Sequence, residues 1–380
     1  MAFSYLKTHL QKRREDALLR ERQLVSQHSS CHISVAGKTY LNFASNDYLG
    51  FAADALKNNE LTQLGSHSSP LVTGYTQAAH DLESYLCNKL GYESALLFNS
   101  GFSANSSVLK ALFQDQQVAQ QSMMFHDKLN HASLIDGGLN SQAAMVRFNH
   151  NDMKHLTARL QKSKATNKLI ISEGVFSMDG DSAPIAELYA IANEHNAWLM
   201  IDDAHGFGVQ GEQGLGSCEQ IKPQLLVITF GKAVASSGAC VLASKEVIDY
   251  MLQYNRDYIY STGMSPLIAQ HTLVRLQQIY SQQGDQRRQK LANNITLFQQ
   301  LAAEYKIAVM PSNSAIQPIV LGCAEQTLMV ANKLKQQGIW LSAIRPPTVP
   351  FNTARLRITL TAAHDKNDIE RLVNELVNAL

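Results

Sequence analysis

Seven short apolar runs, most of them separated by helical stretches, constrain this chain more than any other feature. They are Ala95–Phe98, Met123–His126, Ala144–Phe148, Leu169–Ser172, Trp198–Ile201, Leu225–Phe230 and Ala239–Ala243. Each is short, continuous and free of an alternating polar face, the pattern of a strand covered on both sides. Strands alternating with helices predict an α/β fold built on a mainly parallel seven-stranded sheet. Leu225–Phe230 and Ala239–Ala243 lie too close in sequence for a helical crossover, so that pair is expected to be antiparallel.

The flanks read differently. Residues 3 to 25 carry many charges around a partial apolar face of Leu6, Leu10, Ala17, Leu18 and Leu24, which predicts one helix. Residues 32 to 43 alternate around Gly37-Lys38, as in a small hairpin. A Gly/Ser-rich loop from Gly65 to Tyr75 leads into a helix carrying His80, Leu82, Glu83, Tyr85 and Leu86. A long helical region spans about 265 to 305. Ser314–Leu321, Gly338–Ser342 and Arg355–Thr361 then read as strands of a smaller C-terminal α/β domain, closed by a helix from Lys366 to Leu380. The expected division is a helix and hairpin segment over 1–45, a large domain over 46–270 and a small one over 271–380.

A chain of 380 residues with 45% hydrophobic residues buries a substantial core, and its net charge of +1 gives no electrostatic reason to bind nucleic acid. No apolar run approaches the roughly 18 residues of a membrane span, and Met1 to Lys7 lacks the apolar core of a signal peptide. Cys31, Cys87, Cys218, Cys240 and Cys323 are scattered, which points away from a zinc site or a disulfide framework and towards a reducing cytoplasm.

Ligands of open α/β sheets sit beyond the carboxyl ends of the strands. Here those ends deliver reactive groups. Leu169–Ser172 runs into Glu173-Gly174, with Ser177 just beyond; Trp198–Ile201 runs into Asp202-Asp203-Ala204-His205; Leu225–Phe230 runs into Gly231-Lys232. Asn130-His131 follows the run that ends at His126. A lone strand-end lysine is more often a solvated cap, but parallel neighbours would gather Asp202, His205 and Lys232 in one crevice. Asn99-Ser100-Gly101-Phe102-Ser103 joins a strand to a helix with small residues, which suits an anion at a helix N-terminus. Ser100 or Ser103 reads equally well as a plain N-cap, and Phe102 as core. The fingerprints of nucleoside triphosphate and dinucleotide sites are missing. An amine, a carboxylate and a phosphate cradle together suit pyridoxal phosphate.

These residues resemble the α-oxoamine synthases, pyridoxal phosphate-dependent enzymes of fold type I. The likeness rests on Asn46-Asp47-Tyr48-Leu49-Gly50, Asn130-His131-Ala132-Ser133-Leu134, Glu173-Gly174-Val175-Phe176-Ser177-Met178-Asp179-Gly180, Asp202-Asp203-Ala204-His205-Gly206 and Thr229-Phe230-Gly231-Lys232, in that order along nearly the whole chain. It implies that Lys232 carries the cofactor as a Schiff base and acts as general base. Asp202 would pair with the pyridine nitrogen and His205 with the phenolic oxygen, while His131 would stack on the ring. Ser177, Thr229, Gly101 and Phe102 would contact the cofactor. Asn46, Thr348, Arg357 and an N-terminal arginine, Arg20 or its neighbour Arg22, would meet substrate together with His131. The segments Ala343–Pro350 and Ala354–Thr359 resemble the member that joins L-alanine to a pimeloyl thioester. The acyl carrier would be CoA or an acyl carrier protein, either of which suits a basic patch of Arg13, Arg14 and Arg20. The resemblance implies a homodimer. Three positions depart from its pattern: Ala235 replaces part of a glycine-rich stretch after Lys232, Asn352 stands where glycine is usual, and Phe207 where threonine is common.

Overall fold

The computed structural model describes residues 2–29, 31–54 and 63–380. It divides into two compact units. One comprises Asp54–Ser177 and Ser182–Arg288; the other comprises Met1–Ala53, Met178–Asp181 and Gln289–Leu380.

The first unit is an α/β layer structure around the expected seven-stranded sheet. From one edge the order is Ser94–Phe98, Ala239–Ala243, Leu225–Thr229, Trp198–Asp202, Asn167–Glu173, Ser122–Asp127 and Ala144–Phe148. Ala239–Ala243 is antiparallel to both its neighbours, and the other pairings are parallel. The six remaining strands therefore point the same way and release their loops at one end. All five residues of Leu225–Thr229 and of Ala239–Ala243 are buried, and each large aliphatic among them contributes about 1.5–3 kcal/mol of burial. Helix Gly101–Leu112 packs its buried Ala104, Val108 and Leu109 against this sheet. Helix Ala132–Leu139 reaches it closely because Gly137 lacks a side chain: a Cβ there would lie 2.9 Å from Ser106 Cα.

The other unit holds two small sheets. Val25–His28, His32–Val35, Lys38–Asn42 and Ile339–Trp340 form one; Ile316–Gly322, Ala354–Thr359 and Ser342–Ile344 form the other. The hairpin turn at Ala36-Gly37 has φ of 50° and 76°, the left-handed pair that a two-residue hairpin needs. Helix Lys366–Ala379 starts with a capping box between Asp365 and Asp368. Arg355 donates to Asp179 at 2.7 Å, a buried ion pair that ties the Met178–Asp181 segment into this unit.

Three expectations need correction. The helix predicted over residues 3 to 25 is confined to Tyr5–Glu15, with no residue buried. Ala17 adopts a left-handed φ of 56°, and the chain turns back before strand Val25–His28; without an apolar stripe to bury, nothing holds a longer helix. The Gly338–Ser342 strand is two strands that join different sheets. The helical region over 265–305 breaks at Tyr280-Ser281 into Pro266–Ile279 and Gln282–Glu304.

Candidate active site

The carboxyl end of the seven-stranded sheet gathers the groups expected there. Register places Glu173 beside Asp202 and Asp202 beside Val227. Beyond Thr229 the chain makes a tight turn in which Lys232 C=O accepts from Ala235 N–H at 2.8 Å and Phe230 C=O from Ser236 N–H at 2.8 Å. This turn holds Lys232 half-buried, its Nζ donating to Thr229 Oγ1 at 3.1 Å. Ala235 pays for the geometry with a φ of 52°, where an L side chain crowds its own carbonyl.

Asp202 is buried. Its Oδ2 accepts from Asn105 Nδ2 at 2.6 Å and its Oδ1 from Ala204 N–H at 3.1 Å. Those donors fix the orientation of the carboxylate within the site. His205, three residues on, is also buried. Glu173 is buried as well, and its Oε1 accepts from His131 N–H at 2.6 Å. Burial, and then the nearby Asp202 charge, raise the Glu173 pKa well above the usual carboxylate range, against the pull of the His131 and Ser177 N–H groups and Lys232. Glu173 therefore serves as the acceptor that holds the His131 and Ser177 loops. Asp203 points elsewhere: Ser217 donates to it through Oγ at 2.6 Å and N–H at 2.8 Å, and burial pushes its pKa up to about 7.

His131 caps helix Ala132–Leu139, its Nδ1 accepting from Ser133 N–H at 3.2 Å. His131 is exposed at the surface, yet neighbouring groups withdraw its imidazole from part of the surrounding water. That withdrawal lowers the His131 pKa, with Lys232 acting in the same direction and Asp202 and Asp136 against it. An open, neutral aromatic face suits a stacked planar ring.

At helix Gly101–Leu112, Ser100 Oγ accepts from Ser103 N–H at 3.1 Å and Ser100 C=O from Ala104 N–H at 3.1 Å. The N–H groups of Gly101 and Phe102 are left at the helix end for an anion. A Cβ on Gly101 would lie 2.5 Å from Thr229 Cγ2, so only glycine lets the helix end meet the strand end. Ser100 is thus an N-cap, and Phe102 is exposed rather than core. These donors, the amine and the carboxylate fit pyridoxal phosphate: a phosphate on the helix end, an aldehyde carbon at Lys232 and a ring nitrogen at Asp202.

The remaining expected residues lie in the second unit as two pairs. Arg357 is buried and donates to Asn46 Oδ1 from both terminal nitrogens, at 3.2 and 3.3 Å, and to Thr359 Oγ1 at 3.1 Å. Arg20 donates to Thr348 Oγ1 at 2.8 Å, with both residues exposed. Arg345 holds the segment before Arg20 through the Ala17 and Leu19 carbonyls. Asn352 takes a φ of 61°, so asparagine supplies here the left-handed turn for which glycine is usual.

Glu173 stood among the strand-end groups and Ser133 within the Asn130–Leu134 motif, each without a stated partner, while Asn105 was not singled out. Asn105 had a usable signal: it sits one helical turn after Gly101, on the same face.

The family model for class I and II aminotransferases matches residues 38–376. Among solved structures, a serine palmitoyltransferase variant from S. paucimobilis with a bound pyridoxal phosphate–myriocin aldimine is 25% identical, with a TM-score of 0.89 over 99% of this chain and 97% of that one. Serine palmitoyltransferase from Sphingomonas wittichii is 24% identical, with a TM-score of 0.90 over 100% and 98%, a likeness of fold. The 8-amino-7-oxononanoate synthase from Francisella tularensis is 28% identical, with a TM-score of 0.73 over 89% and 97%. The chain belongs to the class I and II aminotransferase family, as a pyridoxal phosphate-dependent enzyme with an α-oxoamine synthase-like fold.

Proposed function

We propose that this chain joins L-alanine to a pimeloyl thioester, the reaction of 8-amino-7-oxononanoate synthase in biotin biosynthesis. The observation that carries the amino-acid half is Arg357, a buried guanidinium whose two terminal nitrogens converge on one Asn46 oxygen. A substrate carboxylate is the natural bidentate partner for such a fork. The acyl half rests on the resemblance of Ala343–Pro350 and Ala354–Thr359, and on the higher identity to the Francisella synthase. A carbon–carbon bond forms, the thioester C–S bond breaks to release thiol, and the bond to the alanine carboxylate breaks to release CO2.

Bound at this site, pyridoxal phosphate supplies a sink for the electron pair left when a bond to the amino-acid Cα breaks. Lys232 Nζ would hold it covalently and, once displaced by the substrate amine, take the Cα proton as general base. Asp202 would keep the proton on the ring nitrogen, His205 would meet the phenolic oxygen, and Ser177 would contact the ring region. Gly101, Phe102 and Thr229 would hold the phosphate. His131 would cover the ring face and reach substrate. Arg20 and Thr348 would contact the acyl substrate.

Four apolar residues around the phosphate end, Leu71, Val72, Phe102 and Tyr260, are exposed. Their loops are tied by Ser69 Oγ to Ile259 C=O at 2.7 Å and Asn99 Nδ2 to Thr262 C=O at 2.9 Å. Covering them with a second copy makes the enzyme a homodimer. Among the described residues no helix is long and apolar enough to cross a membrane, and the free cysteines suit the cytoplasm.

A second reading, serine palmitoyltransferase-like chemistry, is favoured by the TM-score of 0.89 to that enzyme at 25% identity. Thiol release should be measured with L-alanine and pimeloyl-CoA, L-alanine and pimeloyl-acyl carrier protein, L-serine and palmitoyl-CoA, and glycine and acetyl-CoA. Turnover is expected with alanine and one pimeloyl donor. Turnover confined to the serine or glycine pair would overturn the proposal.

A further inference from the structure

A continuous hydrogen-bond chain inside the first unit links Asp202, the group expected at the ring nitrogen, to His131, the group expected on the ring face. Asn105 Nδ2 donates to Asp202 Oδ2 at 2.6 Å and to Ser133 Oγ at 3.0 Å. Ser133 Oγ lies 2.8 Å from His131 Nδ1, and Ser133 N–H donates to the same nitrogen at 3.2 Å. Asn105, Ser133 and Asp202 are all buried.

The polarity of this chain follows from its fixed members. A backbone N–H can only donate, so His131 Nδ1 must accept from Ser133 N–H. Ser133 Oγ, taking a proton from the Asn105 amide, is then free to give its own to Nδ1. Two donors aimed at one ring nitrogen leave no room for a proton on it. The ring proton must therefore reside on Nε2. The same nitrogen caps helix Ala132–Leu139, whose positive N-terminal end disfavours a charged imidazole. Orienting Asn105 so that its amide faces Asp202 leaves its Oδ1 buried without a partner, a cost consistent with the amide being required on the carboxylate side.

We propose that Asn105 and Ser133 are positioning residues that hold His131 as a neutral imidazole with its proton on Nε2, and that couple this state to the Asp202 carboxylate. Through them the group on the open ring face is a hydrogen-bond donor and never a competing base for Lys232. The charged groups that face His131 are Lys232, Asp202 and Asp136, with Glu173 holding its main-chain N–H. Lys232 opposes protonation of the ring, Asp202 and Asp136 favour it, and withdrawal from water opposes it most strongly. The roles of His131 and Lys232 rest on the site reading above, whereas the tautomer is a property of the protein alone.

The test is histidine-selective 15N NMR of the full chain, with and without pyridoxal phosphate, over pH 5 to 8, a range set by the ordinary histidine pKa of about 6.5. Wild-type His131 should show the Nε2–H form and stay neutral through the lower part of that range. Ser133→Ala removes the hydroxyl donor and keeps the backbone one. Its His131 should gain proton affinity by at least about threefold, a shift of half a pH unit, while the remaining backbone N–H keeps the proton on Nε2. Asn105→Ala should move His131 the same way by less, because Ser133 keeps its hydroxyl but loses the group that orients it. A wild-type His131 protonated on Nδ1, or one titrating near the ordinary value, would overturn the proposal, as would a Ser133→Ala spectrum identical to wild type. Should Asn105→Ala fail to fold, the wild-type and Ser133→Ala spectra still decide it. None of these signals depends on which acyl thioester is used, so a wrong substrate assignment would appear only in the turnover panel.

Discussion

The seven-stranded sheet and the second unit hold their polar groups in different ways. At the sheet end, Asp202, Glu173, Asn105 and Ser133 are all buried, and each is fixed by partners from other segments. In the second unit Arg357 is buried in a comparable cradle, but Arg20 and Thr348 meet at the surface through one side-chain hydrogen bond. Buried networks are costly to leave half-satisfied and so admit one arrangement; an exposed pair competes with water and contributes little. The groups assigned to bond breaking are thus rigid. The pair proposed to meet the acyl substrate is exposed, so under that proposal substrate preference could change without disturbing the buried network.

That contrast orders the effects of substitution. Lys232→Ala should lower kcat on the order of 10⁴-fold, through loss of both the covalent anchor and the base; borohydride reduction followed by peptide mapping should no longer label this position. Near-normal turnover would remove Lys232 from the mechanism. Arg357→Lys keeps the charge and loses the fork, and is expected to raise KM for the amino acid roughly 30-fold, about 2 kcal/mol, with a smaller change in kcat. An equal fall in kcat with KM unchanged would place Arg357 outside ground-state carboxylate binding.

Ala235→Gly relieves a left-handed alanine at the price of a freer unfolded chain, for a net gain of about 0.5–1 kcal/mol. Chemical denaturation would read this as a higher midpoint at unchanged slope, and a lower midpoint would mean that the alanine methyl packs usefully. Arg20→Ala should cost less than about fivefold in KM for the acyl thioester, with Arg22→Ala unchanged. A kcat effect from Arg20 comparable to that of Arg357 would erase the distinction between buried and exposed contacts.

Much of this arrangement was legible in the chain. The apolar runs placed all seven strands and the antiparallel pair, because a strand buried on both faces leaves a continuous apolar signature that survives without knowledge of its neighbours. The strand-end groups followed from those runs. At the helix beginning with Gly101 the sequence left Ser100 and Ser103 as alternative N-caps, and the geometry decided for Ser100. The N-terminal helix was overextended because charge-rich sequence gives a helical period whether or not a face exists to bury it.

What sequence determined here is local: which segments are strands, which residues stand at their ends, and hence the inventory of amine, carboxylate, imidazole and anion cradle. What only the tertiary structure decided is the state of those groups. Asp202 and Asp203 are adjacent and chemically identical in sequence, yet one faces Asn105 and the site while the other is buried against Ser217. Asn105 is an ordinary helical residue until Gly137 lets a second helix approach and brings Ser133 to it. Charge state and tautomer depend on distances of a few ångströms between residues far apart in the chain, and such distances exist only once the sheet and its helices have packed.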